Sequence, residues 1–404
     1  MFDHDRTLPP FTAWRSGLTL LSDLGLTLQQ PDLVLSSSAT SYVVPTKIFL
    51  GDRCISEACG KGIDWQAWAS GLYEALEHAA SEYKLPGQSP LYSSRALPKS
   101  ALEDRDLVYR FARRIRGDSA QPVVEFEDPV THRPVLYPAI AADFGFAITA
   151  DDRDLGYLDR VSTTKGYASG SDRREAEIHA LNELIEHDAL SAYLLSHFTQ
   201  ADAPVELDVM SWPPAIGVIR TLQNLGAREL VIVRLPSLVS TVVFAWCMSA
   251  DGAVVTGIGC SSFVTGAVMR ALTETHQELV AERLGASWVS EGGEHRDNLA
   301  EYPVLHSLAV PPRPTPRISV TIDAVRAQEE AESDPHPGSR LAAAGFFYLS
   351  REVWSSPTLS VVQVLIPGAE RFADIDLGRP IIPTGRLATA NLTAQLLRKK
   401  GKWL

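Results

Sequence analysis

Residues 163–190 read TTKGYASGSDRREAEIHALNELIEHDAL. A polar, Gly-containing stretch gives way to an apolar-periodic run, which predicts a long helix over about residues 172–197. On that helix Glu175, His179, Asn182 and Glu186 share a quadrant, with Glu183 beside them. Two other segments repeat the theme. Residues 64–83 carry Ser70-x3-Glu74-x2-Glu77 and residues 267–284 carry Glu274-x2-Gln277, each in a helical pattern. Steps of i,i+3 or i,i+4 put side chains on one helix face. Three such faces brought together make a cage of carboxylates, which repel unless hard cations fill it. Mg²⁺ with a phosphate chain is the natural filling.

Taken singly, each acidic face reads more simply as a solvated surface. On the first helix Ser70, Glu74, Glu77 and Ser81 fall in one arc, opposite Trp68, Leu72, Ala75, Leu76, Ala79 and Tyr83. That arc has no Lys or Arg to relieve its carboxylates, which counts against the simple reading. Glu278 and Glu282 on the third helix read as solvated. Arg270 and Arg283, near its ends, can meet phosphate or pair with acids. A di-iron bundle needs Glu-x-x-His. The pairs Glu74/His78 and Glu175/His179 are spaced i,i+4 instead, which argues against it.

Around these helices the sequence mixes strands and helices without βαβ alternation, so an α+β fold is expected, with mixed or antiparallel sheets packed on helices. Strands are expected over 46–50, 137–149, 229–235, 241–248, 253–259, 346–349 and 360–366, and a helix over 101–115. Residues 86–99 read as a loop and 325–338 as a mobile one. The glycines of Gly257-Ile258-Gly259 suggest a turn or bulge. Lys61, between Gly60 and Gly62, lacks the spacing of a Walker loop, and no Rossmann glycine motif or nucleophile elbow is present.

The chain has 404 residues and a formal net charge of -12, which makes it a poor non-specific binder of nucleic acid. Four scattered cysteines, with no CxxC pair, read as reduced thiols of a cytoplasmic protein rather than a zinc site. The acidic start MFDHDRTLPPF does not resemble a signal peptide, and no apolar run is long enough to span a membrane.

Three motifs, CGKGIDWQAWASGLYEALEH (59–78), residues 163–190 quoted above and GIGCSSFVTGAVMRALTETHQE (257–278), resemble in this order those of YcaO-domain proteins. FFYLSREVWSSPTLSVVQVLIPGAE (346–370) resembles the family's late strand segment ending in Pro-Gly. The resemblance implies a YcaO-type fold over residues 46–404, with 1–45 as an N-terminal extension packed on it. It implies ATP held outside any Walker loop by Mg²⁺ on glutamates, with Glu74, Glu77, Glu175, Glu183 and Glu186 as metal ligands. Lys61, Ser70, Glu274, Gln277, His187 and Arg283 would line the nucleotide. The family usually has Arg where this chain has His187, and His78 occupies the matching place on the first helix. The third motif often reads Gln-Ser-Arg, against Gln277-Glu278-Leu279 here. Each change removes a permanent charge; Arg283 or Arg270 is the expected replacement.

The activity so implied is ATP-dependent activation of a backbone amide in a ribosomally made precursor peptide. The first expectation is cyclodehydration of Cys to thiazoline through an O-phosphorylated hemiorthoamide. Macroamidine formation of the bottromycin type and thioamidation follow by the same chemistry. A non-catalytic helper binding peptide or nucleotide is the alternative from another class, and a carboxylate-rich metal storage or redox protein is a third. The ending LLRKKGKWL resembles standalone members rather than those with a proline-rich tail, and a homodimer is a family-level expectation.

Overall fold

The computed structural model describes residues 5–31, 41–90, 92–146, 154–199, 202–285, 296–329 and 336–398. Three times the chain runs from a strand into a helix with only a short turn between. Strand Arg53–Gly62 leads to the first acid helix, Trp65–Ser81; strand Tyr167–Gly170 to the second, Arg173–Leu194; strand Val254–Ser261 to the third, Val264–Leu284. Each helix packs back on its own strand through glycine. A Cβ on Gly60 would lie 2.0 Å from the Ala67 carbonyl oxygen, and one on Gly259 would lie 2.4 Å from that of Ala267. Such contacts are closer than any real side chain makes, so the glycines set how near helix and strand can lie. Gly257-Ile258-Gly259 is therefore not the expected turn but strand interior lying against the third helix.

The strands form three sheets. Leu26–Gln29, Tyr42–Leu50 and Arg53–Gly62 make an antiparallel meander. A five-stranded sheet has the order Val254–Ser261, Thr241–Met248, Arg228–Leu235, Val205–Asp208, Ser319–Thr321, with only the last pair parallel. A six-stranded antiparallel sheet has the order Tyr92–Arg95, Gln121–Asp128, Leu349–Ser356, Leu359–Leu365, Tyr167–Gly170, with Arg133–Pro138 also pairing on Gln121–Asp128.

Each acid helix is shared between two sheets, and this arrangement builds the centre of the molecule. Leu72, Ala75, Leu76 and Ala79 of the first helix pack with Ile48 and Ile55 of the meander and with Tyr167, Val353 and Val361 of the six-stranded sheet. Ala180, Leu181, Leu184 and Ile185 of the second pack between Val362 and Val364 and the five-stranded sheet's Val233, Val242 and Phe244. Ala267, Val268, Ala271 and Leu272 of the third cover the opposite face of that sheet at Val243 and Ala245. Its Val280 meets Val43 and Cys59 of the meander, which closes the ring. Burying a Leu of this kind stabilises the fold by about 1.5–3 kcal/mol.

Helix ends obey local chemistry. The Asp172 carboxylate accepts the Glu175 N–H at 2.8 Å, capping the second helix. Gly285, at φ 58°, ends the third in the left-handed region. The predicted helix over 101–115 is two pieces, Leu102–Arg105 and Leu107–Arg116, because Asp106 leaves helical geometry to cap Tyr109 N–H at 2.9 Å. The expected strand over 137–149 is corrected: Arg133–Pro138 ends there and a turn of helix, Ala139–Ala142, follows, while 147–149 lie outside the described residues. The expected loop over 325–338 carries most of helix Ile322–Glu329 and the start of helix Pro337–Ala343; 330–335 lie outside the described residues. Strand Tyr42–Leu50 runs across the expected boundary at 45/46, and helix Pro10–Asp23 packs on the first acid helix.

Candidate ATP and metal site

The acidic faces of the three helices turn inward, and strand Tyr167–Gly170 ties two of them together through its backbone. Ser169 N–H donates to Glu77 Oε2 at 2.9 Å, and Gly166 N–H, just before the strand, donates to Glu183 Oε2 at 2.9 Å. The third helix is tied to the meander. Lys61 Nζ lies 3.2 Å from Glu274 Oε2, and Gln277 Nε2 donates to the Cys59 carbonyl at 2.8 Å.

The groups sense each other electrostatically. Burial pushes Glu77 well above the usual carboxylate range, helped by the charges of Glu183 and Glu74 and opposed by the Ser169 N–H. Glu186 rises to about 8, first by burial, then by Glu274, with Lys165 and Lys61 holding it back. Glu278 rises to about 7 by burial and by Glu274. It is half-buried in the same field rather than solvated as its sequence context suggests, because Lys61, Asp376 and Lys165 gather around it beside Glu274. Burial works against the charge on Lys61, but Glu274, Glu74 and Glu186 outweigh it and raise its pKa. Lys165 behaves alike: burial is overcome by Glu183, Asp374, Glu186 and Glu274, and its Nζ lies 3.4 Å from Glu183 Oε1.

Glu175 stands differently. It is buried, and its oxygens accept from Arg6 Nη1 at 3.1 Å, Thr7 N–H at 3.3 Å, Ser171 N–H at 3.2 Å and the Ser171 hydroxyl. The N-terminal segment thus enters the site. Its Asp5 accepts from Ser261 Oγ at 2.7 Å and lies 3.8 Å from Arg270 of the third helix. Ser70 is half-buried one turn before Glu74. Arg283 is exposed in the last turn of its helix, roughly 13 Å along the axis from Glu274. That distance takes it away from the acids it was expected to accompany.

A family model described as YcaO cyclodehydratase, ATP- and Mg²⁺-binding, matches residues 59–370. The chain belongs to the YcaO family. The structure of YcaO from Methanopyrus kandleri bound with AMPPCP and Mg²⁺ is similar at TM-score 0.65 and 22% identity, covering 96% of this chain and 98% of that one. A heterocyclase in complex with substrate and cofactor matches at TM-score 0.65 and 17% identity, over 90% of this chain and 53% of that one. The E. coli microcin synthetase McbBCD complex matches at TM-score 0.60 and 13% identity, over 86% of this chain and 88% of that one. At these identities the structural likeness speaks for the fold. No curated protein sequence matches the chain.

The residues of this YcaO chain fit the family's ATP and Mg²⁺. The donors are hard carboxylate oxygens, and a divalent cation relieves both the burial cost and the repulsion that raise Glu77 and Glu186. Among the described residues no group of three or more His, Cys, Asp or Glu side chains is placed to hold a metal alone.

The two histidines in the family's arginine positions differ from each other. His78 Nδ1 lies 3.0 Å from the Glu57 carbonyl, outside the cage. His187 lies beside the cage, 3.7 Å from Asp374, and burial and then the Lys165 charge keep it neutral. Sequence reading missed Lys165, Arg6, Asp5 and Asp374 as members of this neighbourhood. Lys165 was legible in principle as the lysine inside TTKG. Nothing in MFDHDR signals that Asp5 and Arg6 fold into a distant site. Among the described residues, no helix is long and apolar enough to cross a membrane.

Proposed function

We propose that this protein is an ATP- and Mg²⁺-dependent enzyme that cyclodehydrates a Cys of a ribosomally made peptide to thiazoline. The observation that carries the reading is the convergence of three acid helices whose carboxylates Glu74, Glu186 and Glu278 have no hydrogen-bond partner among the described residues. Family membership supports the ATP-dependent cyclodehydratase class. In this reading Glu74, Glu77, Glu183 and Glu186 hold Mg²⁺. Glu175, the fifth expected ligand, joins them if the Arg6–Thr7 segment lets it go. Lys61, Ser70, Glu274 and Gln277 line the nucleotide beside His187. Arg283 is left out of that lining by its exposed position.

The bound cation supplies charge neutralisation and polarises the phosphate oxygens. The peptide supplies the rest of the chemistry. The Cys thiol loses its proton and adds to the preceding amide carbonyl carbon, and the resulting oxyanion takes the γ-phosphoryl group, releasing ADP. The phosphorylated oxygen then leaves as phosphate while the nitrogen loses its proton and forms the C=N bond. Lys61 would hold the triphosphate directly and the carboxylates would hold the cation that neutralises it, so in-line transfer is mostly positioning and electrostatics.

The test incubates the protein, ATP and Mg²⁺ with a Cys-containing precursor peptide. The expected result is ADP and phosphate release, loss of one water from the peptide, and loss of the alkylatable thiol. Water loss with the thiol intact and an amine consumed means macroamidine formation. Sulfide-dependent exchange of oxygen for sulfur means thioamidation. The histidines at 78 and 187, where the family usually has arginine, favour one second reading, a helper that binds nucleotide or peptide without turnover. ATP binding without peptide-dependent ADP release would establish it.

A further inference from the structure

We propose that Lys165 is a phosphate-binding residue of this chain, supplying a permanent positive charge to the terminal phosphates of ATP. The inference rests on the ATP reading above. A triphosphate brings further negative charge into a cage whose acids already repel one another. The cations in that cage are therefore decisive, and they are not equivalent. Arg6 is committed to Glu175 and Arg270 lies beside Asp5. Lys61 belongs to the meander side, where it meets Glu274. Lys165 alone among these four stands at the junction of the second helix and the six-stranded sheet, in the field of Glu183, Glu186, Glu274 and Asp374.

Its placement is built rather than incidental. Lys165 is the second residue of a tight turn closed by Tyr167 N–H to the Thr164 carbonyl at 3.0 Å. The third residue, Gly166, sits at φ +85°, and a Cβ there would lie 2.5 Å from the Val364 carbonyl oxygen. The same Gly166 donates its N–H to Glu183. The turn therefore fixes the Lys165 backbone against a proposed metal ligand. Its ammonium lies 3.4 Å from Glu183, which is long for a charge-assisted hydrogen bond, so the ammonium keeps donors for an incoming anion.

Lys165 also borders a cavity of about 20 Å³, shared with Thr163, His187, Arg371 and Asp374. This volume holds about one water molecule. His187 faces the same cavity. A cation placed at 187 would thus enter the space Lys165 serves, which makes the assignment testable by moving the charge.

The experiment measures binding of ATP and of AMP, each with Mg²⁺, by calorimetry on the full chain. Variants are Lys165→Met, Lys165→Arg and the double variant Lys165→Met/His187→Arg. Lys165→Met is expected to weaken ATP roughly ten- to hundredfold and AMP less than about twofold. Lys165→Arg stays within about threefold of the parent for ATP, and His187→Arg restores at least about fivefold of the affinity lost in Lys165→Met. Unchanged ATP affinity in Lys165→Met overturns the inference alone. So does an equal loss for ATP and AMP, which marks a structural role. A parent chain that binds no ATP overturns both the inference and the reading beneath it.

Discussion

Glu186 and Asp188 sit two residues apart on one helix, and the fold treats them in opposite ways. Asp188 is fully buried and completely paired. Arg386 reaches it with Nη2 at 2.8 Å and Nε at 3.1 and 3.2 Å, and Glu370 N–H donates to it at 2.8 Å. Glu370 in turn accepts the N–H groups of Arg371, Thr384 and Gly385. Glu186 has no hydrogen-bond partner among the described residues and sits in the field of Glu274 and Glu183. An acid that the protein completes by itself holds the structure. An acid that the protein surrounds with other acids is waiting for something the protein lacks.

Breaking the first kind should cost the most. Asp188→Ala strands Arg386 and the Glu370 loop, and it should destabilise the fold by about 3–5 kcal/mol in chemical denaturation. The ATP affinity of whatever remains folded should stay near that of the parent. Glu186→Gln should do the reverse. It removes an acid that folding must keep protonated among its neighbours, so the ligand-free melting temperature should hold or rise, while peptide-dependent ADP release falls at least about 100-fold. If Glu186→Gln unfolds the chain and Asp188→Ala does not, the contrast is wrong.

This contrast was half-visible in the sequence. The three acid faces and the α+β class follow from periodicity over long segments, and helix Trp65–Ser81 falls within the expected 64–83, but strands Arg53–Gly62 and Tyr167–Gly170, which feed two of the acid helices, were not expected. Thr241–Met248 matches its expected bounds because it is buried on both faces and reads as one apolar run. The ring of shared helices was not legible, since it depends on which sheet each strand joins. Nor was the role of Asp188, which reads like any acid of a helix face until Arg386, far away in sequence, arrives beside it. Of the residues expected on the nucleotide, His187 lies beside the cage, while Arg283 is exposed in the last turn of its helix, a position that sequence alone does not reveal.

Ligand should sharpen the contrast next. If the cage awaits Mg²⁺ and triphosphate, ATP with Mg²⁺ at about a hundred times its dissociation constant stabilises the chain by about 2.7 kcal/mol. A thermal shift assay should show this rise, and EDTA should abolish it. Glu186→Gln should lose the shift. The Asp188→Ala protein, melting lower, should keep it. An equal shift in the Glu186→Gln protein would remove that carboxylate from the metal site.

The smallest effect is the slope of stability with pH. Glu186 rises from an ordinary 4.5 to about 8 and Glu278 to about 7, each first by burial. The folded, ligand-free chain therefore binds protons at these sites that the unfolded chain has released. Their contribution is fully present below about pH 4.5 and is lost as pH climbs through about 7 to 8, so the melting temperature should fall over that window. Glu186→Gln should flatten the fall without abolishing it, because Asp374 and Glu370 also rise to about 7 through burial. Mg²⁺ with ATP should reverse the sign: the cation favours the charged carboxylates, so binding releases protons and tightens toward about pH 8. The ligand-induced shift should then grow with pH while the ligand-free midpoint drops. A ligand-free midpoint that rises across the window, or a slope identical in the Glu186→Gln protein, would mean these acids are relieved in the folded chain after all. Glu186 would then belong with Asp188.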